Sequence, residues 1–260
     1  MPTLQSIFKR TIATLTLFTR LPLWRLCNVD AEHYRHVVPL WSMAGWVTGG
    51  VMAGIYYLGQ TVGLPIGLCV ALALAGRTLL TGALHEDGFA DFCDGFGGGT
   101  SRESTLRIMK DSHIGTYGVL GLVLYYIIMW NLLTTVIPAT GSVMTFIVAD
   151  CMSKFISSTI VIFLPYARKE SEAKIQAVYA RPTVMEFLAG SVFGLLPLCL
   201  FFSWAFVLSS LAALAAALML FAYMHRRIGG YTGDCCGATF IITECVMYMA
   251  VVLLFSCLVV

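Results

Sequence analysis

Between Thr81 and Gly99 the chain reads TGALHEDGFADFCDGFGGG, which places four carboxylates within nine positions of an otherwise apolar sequence. Asp87, Asp91 and Asp94 stand at i, i+4 and i+7, so a helix would project all three from one face, with Glu86 and His85 just off it. Carboxylates stacked in this way repel one another unless a cation sits among them. An all-oxygen donor set favours a hard divalent ion, magnesium or manganese, over zinc. The bland alternative is a solvated acidic helix end. A surface face of that kind would not need the three glycines that follow, Gly97 to Gly99, or apolar neighbours on both sides.

Composition decides which solvent surrounds these acids. Of 260 residues, 58% are hydrophobic and only 12% are charged, and the mean hydropathy is +0.84. That is too apolar and too sparsely charged for a soluble domain, and it predicts a polytopic membrane protein. The nine cysteines show no metal-type or paired spacing, and Cys235 and Cys236 are adjacent. They read as small apolar packing residues, with neither a zinc site nor a disulfide framework indicated.

The elements that must position the acids follow from the uncharged runs. Leu4 to Leu26 carries apolar residues at helical spacing with Lys9, Arg10 and Arg20 interleaved, which predicts a helix lying in the membrane interface. No small-residue cleavage site follows it, so it does not read as a removable signal peptide. Asp30 to His36 is a polar connector. Spans of about 20 residues each are then expected over Val37–Gly59, Val62–Leu84 (containing Arg77), Ile114–Ile137 and Ser142–Leu164 (containing Asp150 and Lys154). Two more come from dividing Phe187–Met224 near Ser203, and a last one runs from Ala238 to Val260 with Glu244 in its first turns. The expected fold is therefore all-α and polytopic: about seven transmembrane helices over residues 1–260, with no separate soluble domain.

With a cytoplasmic N-terminus, connectors 1–36, 85–113, 165–186 and 225–237 share one side and hold nearly all the lysines and arginines. The opposite connectors, near 60, 138 and 203, hold none. The positive-inside bias then puts the acidic stretch on the cytoplasmic face.

Further clusters fall on that face. Thr100 and Glu103 have the spacing of a capping box, so a helix is expected to start there. Its open amides after Gly97 and Gly98, with Arg102, Arg107 and Lys110 following, would suit a phosphate; positive-inside charge beside a flexible linker is the plainer reading. Arg168, Lys169 and Lys174 read as a topology signal, and Arg181 before Pro182 as a slightly better phosphate candidate. Gly229 to Asp234 leads into the last span. Asp234 and Glu244 there could complete a metal site, or be a lone polar pair at a helix start. Asp150 and Lys154, at i and i+4 inside a span, either neutralise each other or face the site.

Three stretches, TGALHEDGFADFCDGFGGG from Thr81, RESTLRIMKDSHIGTYG from Arg102 and GGYTGDCCGATFIITE from Gly229, resemble the signature regions of the cobalamin synthase (adenosylcobinamide-GDP ribazoletransferase) family. FTRLPLW, Phe18 to Trp24, is similar to that family's N-terminal region. The resemblance covers most of the chain in the same order, whereas Tyr166 to Arg181 is less typical.

The resemblance implies magnesium-dependent joining of adenosylcobinamide-GDP to alpha-ribazole, or its 5'-phosphate, with release of GMP, at a bacterial cytoplasmic membrane. The expected metal set is Asp87, Asp91 and Asp94, with Glu86, Asp234 and Glu244 completing the shell. Arg102, Arg107 and Lys110, with Gly97, Gly98 and Thr232, would meet the phosphates. His85, or a carboxylate released from the metal, would take the hydroxyl proton. The expected partners are these substrates and membrane lipid, not nucleic acid; self-association and docking with neighbouring pathway enzymes stay open. Two other classes remain: a CDP-alcohol phosphotransferase or prenyltransferase, which also binds magnesium pyrophosphate, and a transporter coupled through Asp150, Lys154 and Glu244.

Overall fold

The computed structural model describes residues 4–168 and 179–258, so Lys169 and Lys174 lie outside the described residues. In chain order the α-helices are α1 (Leu4–Phe18), α2 (Ala31–Tyr34), α3 (Trp41–Thr61), α4 (Ile66–Thr81), α5 (Leu84–Gly98) and α6 (Arg102–Ile108). They continue with α7 (Thr116–Thr140), α8 (Met144–Ser158), α9 (Ile160–Phe163), α10 (Val184–Leu200), α11 (Trp204–Ile228) and α12 (Gly233–Leu258). Among the described residues no strand forms, and one isolated bridge joins Tyr166 to Tyr231. The fold is all-α and polytopic.

Among the described residues every stretch expected to span is built mainly of helix. Five helices among the described residues are long and apolar enough to cross a membrane: Val38–Thr61, Thr116–Thr140, Met144–Phe163, Trp204–Ile228 and Gly233–Phe255. A sixth crossing arises if the bent pair Ile66–Thr81 and Leu84–Gly98 counts as one span, and Val184–Leu200 is a shorter apolar helix. The break within 187–224 falls where it was expected, with the Ser203 hydroxyl accepting from the Ala205 amide at 3.3 Å to cap α11.

Three boundaries differ from the expected ones. The N-terminal helix stops at Phe18 rather than running on to Leu26, and a short 3-10 turn follows at Leu23–Arg25. The second span ends at Thr81, because Gly82 and Ala83 both turn left-handed, at φ 67° and 59°, and α5 leaves α4 at 90°. The last helix starts at Gly233, so Glu244 lies about three turns inside it rather than near its start.

The helices meet at close quarters where side chains are small. A Cβ added to Gly45 would lie 2.7 Å from the Cys151 Cα, and one on Gly49 would lie 2.8 Å from the Ile147 Cα. The two glycines, four apart on α3, let α8 approach backbone to backbone. This contact sets Thr48 beside Asp150, whose carboxylate accepts from the Thr48 hydroxyl at 2.8 Å. Lys154 pairs with Asp150 and also donates to the Thr48 oxygen at 2.7 Å. Arg77 of α4 completes the cluster, reaching Glu244 of α12 at 2.5 Å, the Tyr125 hydroxyl of α7 at 2.6 Å and Asp150 at 3.8 Å.

Two cations and two anions, all fully buried, thus form a neutral quartet that ties α3, α4, α7, α8 and α12 together. Asp150 and Lys154 do neutralise each other, and they do so inside this larger cluster. A charge inside a span is tolerable when it is paired in this way.

At one end of the bundle the connectors fasten to one another. The Arg20 amide donates to the Leu80 carbonyl at 2.6 Å, Ala180 to Arg35 at 2.8 Å, and Ala167 to Tyr231 at 2.8 Å. Arg10 of α1 and His36 both meet Glu186, which also closes the capping box of α10 with Thr183.

Candidate functional site

The acidic helix α5 begins at the left-handed pair Gly82–Ala83 and lies against the first turns of α12. A Cβ on Gly88 would sit 3.1 Å from the Asp234 Cα, and one on Gly237 would sit 3.0 Å from the His85 carbonyl oxygen. The two backbones therefore touch. Asp87 and Asp234, more than a hundred residues apart in sequence, line one cavity of about 160 Å³.

The rest of the cavity wall is largely aromatic. Phe18 stacks on Trp41 with ring centroids 4.9 Å apart, Trp41 lies 5.2 Å from the His85 ring, and Phe240 packs behind His85 at 4.9 Å. On the polar side Arg168 stands 3.8 Å from Asp234 and donates to the Leu106 carbonyl at 3.3 Å. Tyr166 also lines the cavity; burial pushes its phenol up from the ordinary value, which leaves it protonated and unfit as a base near neutral pH.

The expected carboxylate set divides. Asp87 is exposed and Asp91, one turn further on, is half-buried. Asp94 is buried against α7, where it accepts from the Gly115 amide at 2.7 Å and the Gly118 amide at 2.8 Å. It closes the N-terminus of that helix, a use that needs a carboxylate and no metal. Glu86, about 100° round the helix from Asp87, turns inward to accept from the Thr78 hydroxyl at 3.2 Å. Glu244 is held by Arg77 in the quartet, away from the cavity-lining acids. Among the described residues no three His, Cys, Asp or Glu side chains gather into a metal-binding group.

The expected phosphate set divides as well. Arg102 clamps two chain segments, donating from Nε to the Ile228 carbonyl at 2.8 Å and from Nη2 to the Ala167 carbonyl at 2.7 Å. Arg107 and Lys110 are exposed and, with Arg102 and Arg168, line a groove of about 420 Å³. Gly97 and Gly98 are exposed; a Cβ on Gly97 would meet the Tyr117 ring at 2.8 Å. The cap of α6 is not Thr100 with Glu103 but Ser101 with Ser104, where each side chain bonds the other's backbone amide. Thr232 is buried, its hydroxyl 3.4 Å from the Cys235 amide and 3.4 Å from Asp234, so it holds the start of α12 and steadies Asp234.

Residues to which the sequence alone assigned no place in the site, among them Arg168, expected only as a topology signal, matter here. Arg168 lines both the cavity and the basic groove and so joins them. Its partners Asp234 and Leu106 are more than sixty positions away, so no local spacing announces it. In the sequence Trp41 stands only as part of an uncharged run, and Arg77 only as a charge within an expected span.

Comparison with known proteins agrees with the three motif stretches. Residues 10–252 match the family described as cobalamin-5-phosphate synthase. The adenosylcobinamide-GDP ribazoletransferase of Shewanella baltica (strain OS185) is 34% identical over 241 residues, 91% of each chain. That of Ralstonia pickettii (strain 12J) is 34% identical over 221 residues, 85% of this chain and 86% of its own. That of Shewanella sp. (strain W3-18-1) is 34% identical over 252 residues, 95% of each. No solved structure matches. The match runs from the first helix to the last and takes in α5, α6 and the start of α12, and on that ground the chain belongs to the cobalamin-5-phosphate synthase family.

Proposed function

We propose that the protein transfers the adenosylcobinamide phosphate group of adenosylcobinamide-GDP to a ribose hydroxyl of alpha-ribazole, or of its 5'-phosphate, and releases GMP. The observation that carries this reading is the meeting of Asp87, Asp234 and Arg168 at one cavity, with the basic groove of Arg107 and Lys110 next to it. In the reaction a P–O bond forms from the hydroxyl oxygen to the cobinamide-side phosphorus. The P–O bond to the GMP phosphate breaks, and the hydroxyl proton leaves. The protein's main task is to hold donor and acceptor in line and to offset the pyrophosphate charge.

Magnesium fits the residues in one mode and not in another. A closed shell of protein carboxylates does not fit, because Asp94, Glu86 and Glu244 are turned to other partners. Magnesium is commonly held by one or two carboxylates with substrate phosphates and water making up the rest. Asp87 and Asp234, with Asp91 a turn along α5, suit that arrangement. When bound, the ion would neutralise pyrophosphate charge in the transition state. Arg107 and Lys110 would receive the phosphates, and Arg168 would link them to the cavity. His85 lines that cavity, and among the described residues its Nε2 has no hydrogen-bond partner. It and the cavity-lining carboxylates of Asp87 and Asp234 are the groups able to accept the hydroxyl proton.

The same end of the bundle carries the basic connectors, and Ile7, Phe8, Trp24 and Leu26 are exposed beside Lys9 and Arg25. This supports a cytoplasmic membrane location with α1 in the interface and the site on the cytoplasmic side. The intramembrane acids that a coupled transporter would use are instead neutralised within the quartet.

The test is GMP release by the purified full chain given both substrates, with and without magnesium. Magnesium-dependent GMP with a cobalamin product is expected. Folded protein that releases no GMP overturns the reading.

A further inference from the structure

Arg168 is the side chain shared by the cavity of about 160 Å³ and the basic groove of about 420 Å³, so it stands on the boundary between them. The backbone that carries it is held firmly. The Ala167 amide donates to the Tyr231 carbonyl at 2.8 Å, and the Tyr231 amide donates to the Pro165 carbonyl at 3.0 Å. The Tyr166 and Tyr231 rings meet edge to face with centroids 5.4 Å apart, and a side chain on Gly230 would strike the Pro165 carbonyl oxygen. Arg102 adds a further bond, from Nη2 to the Ala167 carbonyl at 2.7 Å. The stretch before Arg168 is thereby tied both to the segment that leads into α12 and to α6.

The guanidinium is held much less. Its side chain is only 3% exposed, yet among the described residues it donates one hydrogen bond, to the Leu106 carbonyl at 3.3 Å, and stands 3.8 Å from Asp234, beyond hydrogen-bond reach. Two other arginines at this end reach backbone carbonyls more closely. Arg102 makes bonds at 2.8 and 2.7 Å, and Arg227 donates to the Gly99 carbonyl at 2.7 Å. Those two are clamps. Arg168 is a buried cation with donors left over, mounted on a fixed support, and that combination suits an anion that arrives with the substrate.

The cations of the groove are therefore not equivalent. Arg107 and Lys110 are exposed, and side chains of that kind hold a phosphate equally well before and during the reaction, which lowers KM without raising kcat. Arg168 lies between them and the carboxylates of Asp87 and Asp234, where an acceptor hydroxyl and a donor phosphorus would have to meet.

We infer that Arg168 is a catalytic residue of the transfer, its guanidinium contacting the non-bridging oxygens of the phosphorus under attack. The inference rests on the transfer reaction proposed above and assigns a residue to its transition state. The acceptor hydroxyl oxygen forms the new P–O bond, and the bridging oxygen leaves on GMP with the bonding pair. The hydroxyl proton goes to a cavity base, and Arg168 keeps its own protons throughout. Its planar fork matches two oxygens of one phosphoryl group, which an ammonium cannot do.

The experiment is steady-state GMP release by the full chain carrying Arg168→Ala or Arg168→Lys, with each substrate varied in turn and the wild type alongside. Arg168→Ala is expected to lower kcat about a thousandfold, the scale of an arginine lost from phosphoryl transfer, with both KM values little changed. Added guanidinium ion is expected to restore part of that rate. Arg168→Lys keeps the charge beside Asp234 and is expected to lose kcat as well, so the inference stays testable if the alanine variant does not fold. Arg107→Ala is expected to raise the donor KM instead. A near-normal kcat in either folded Arg168 variant overturns the inference, as does a loss confined to the donor KM. A folded Arg168→Ala chain whose rate guanidinium leaves untouched also overturns it, because a clamp like Arg102 would behave that way. Wild-type protein that releases no GMP sinks the transfer reaction itself, whereas wild-type release with an unimpaired Arg168 variant sinks this inference alone.

Discussion

Arg77→Met tests whether the quartet is held by charge balance. The substitution keeps the length of the side chain and deletes one of two cations, leaving Asp150 and Glu244 with Lys154 alone and the buried cluster at −1. Breaking one partner of a buried pair costs about 3–5 kcal/mol, and a charge at the middle of a span costs about 2.5–3.5 kcal/mol on insertion scales. The two routes agree on about 3 kcal/mol. Arg77→Met with Glu244→Leu restores neutrality, since Lys154 and Asp150 still pair, and leaves mainly the Tyr125 hydroxyl without its partner, a loss of about 1 kcal/mol. The assay is thermal unfolding of the full chain in detergent. At about 2–4 °C per kcal/mol for a chain of this size, the single variant should melt roughly 6–12 °C low and the double variant within about 4 °C of wild type. A double variant no more stable than the single one would refute the argument from charge balance. So would a single variant that melts with the wild type.

Asp94→Asn keeps one acceptor for the Gly115 and Gly118 amides and loses the charge that faces the start of α7. It should cost about 1–2 kcal/mol of stability while the magnesium concentration giving half the maximal GMP release stays the same; a large rise in that concentration would return Asp94 to the metal. Asp87→Asn, at an exposed position, should do the opposite, cutting GMP release about a hundredfold or more with little change in melting temperature, and a near-normal rate would remove the mouth of the cavity from the chemistry. Ala83→Gly should raise the melting temperature, because a left-handed alanine at φ 59° costs about 1–2 kcal/mol; a lowered melting temperature would show that the Ala83 side chain adds more by packing than its backbone loses.

The helices were legible because their signal is local. Long uncharged runs, the break near Ser203 and the helical spacing of the acids all lie within one window of sequence. The boundaries that slipped did so for reasons no window contains. Val62–Leu84 looked continuous because nothing in Gly82–Ala83 announces two successive left-handed residues, one of them an alanine. Thr100 with Glu103 and Ser101 with Ser104 both have the three-residue spacing of a capping box, and the structure uses the second. In the sequence Glu244 falls near the start of an apolar run that begins at Ala238, whereas Thr232 caps the helix six residues earlier.

The site was legible as a set of residue types and not as an arrangement. Helical phase alone separates Glu86 from Asp87, and that much the sequence could have yielded. The phase of Asp94 agrees with that of Asp87 and Asp91, yet its surroundings do not, because the far half of α5 runs into the start of α7 while the near half opens on the cavity. Which acids keep their charge for a substrate is therefore decided by what lies opposite each one: a helix N-terminus for Asp94, a threonine hydroxyl for Glu86, a guanidinium for Glu244, a cavity for Asp87. A carboxylate already satisfied inside the protein gains little by meeting a metal ion, since it must give up equivalent bonds to do so. Of these acids Asp87 is the one left facing a cavity, at the α5–α12 crossing, where Gly88 and Gly237 bring two remote segments of sequence into backbone contact.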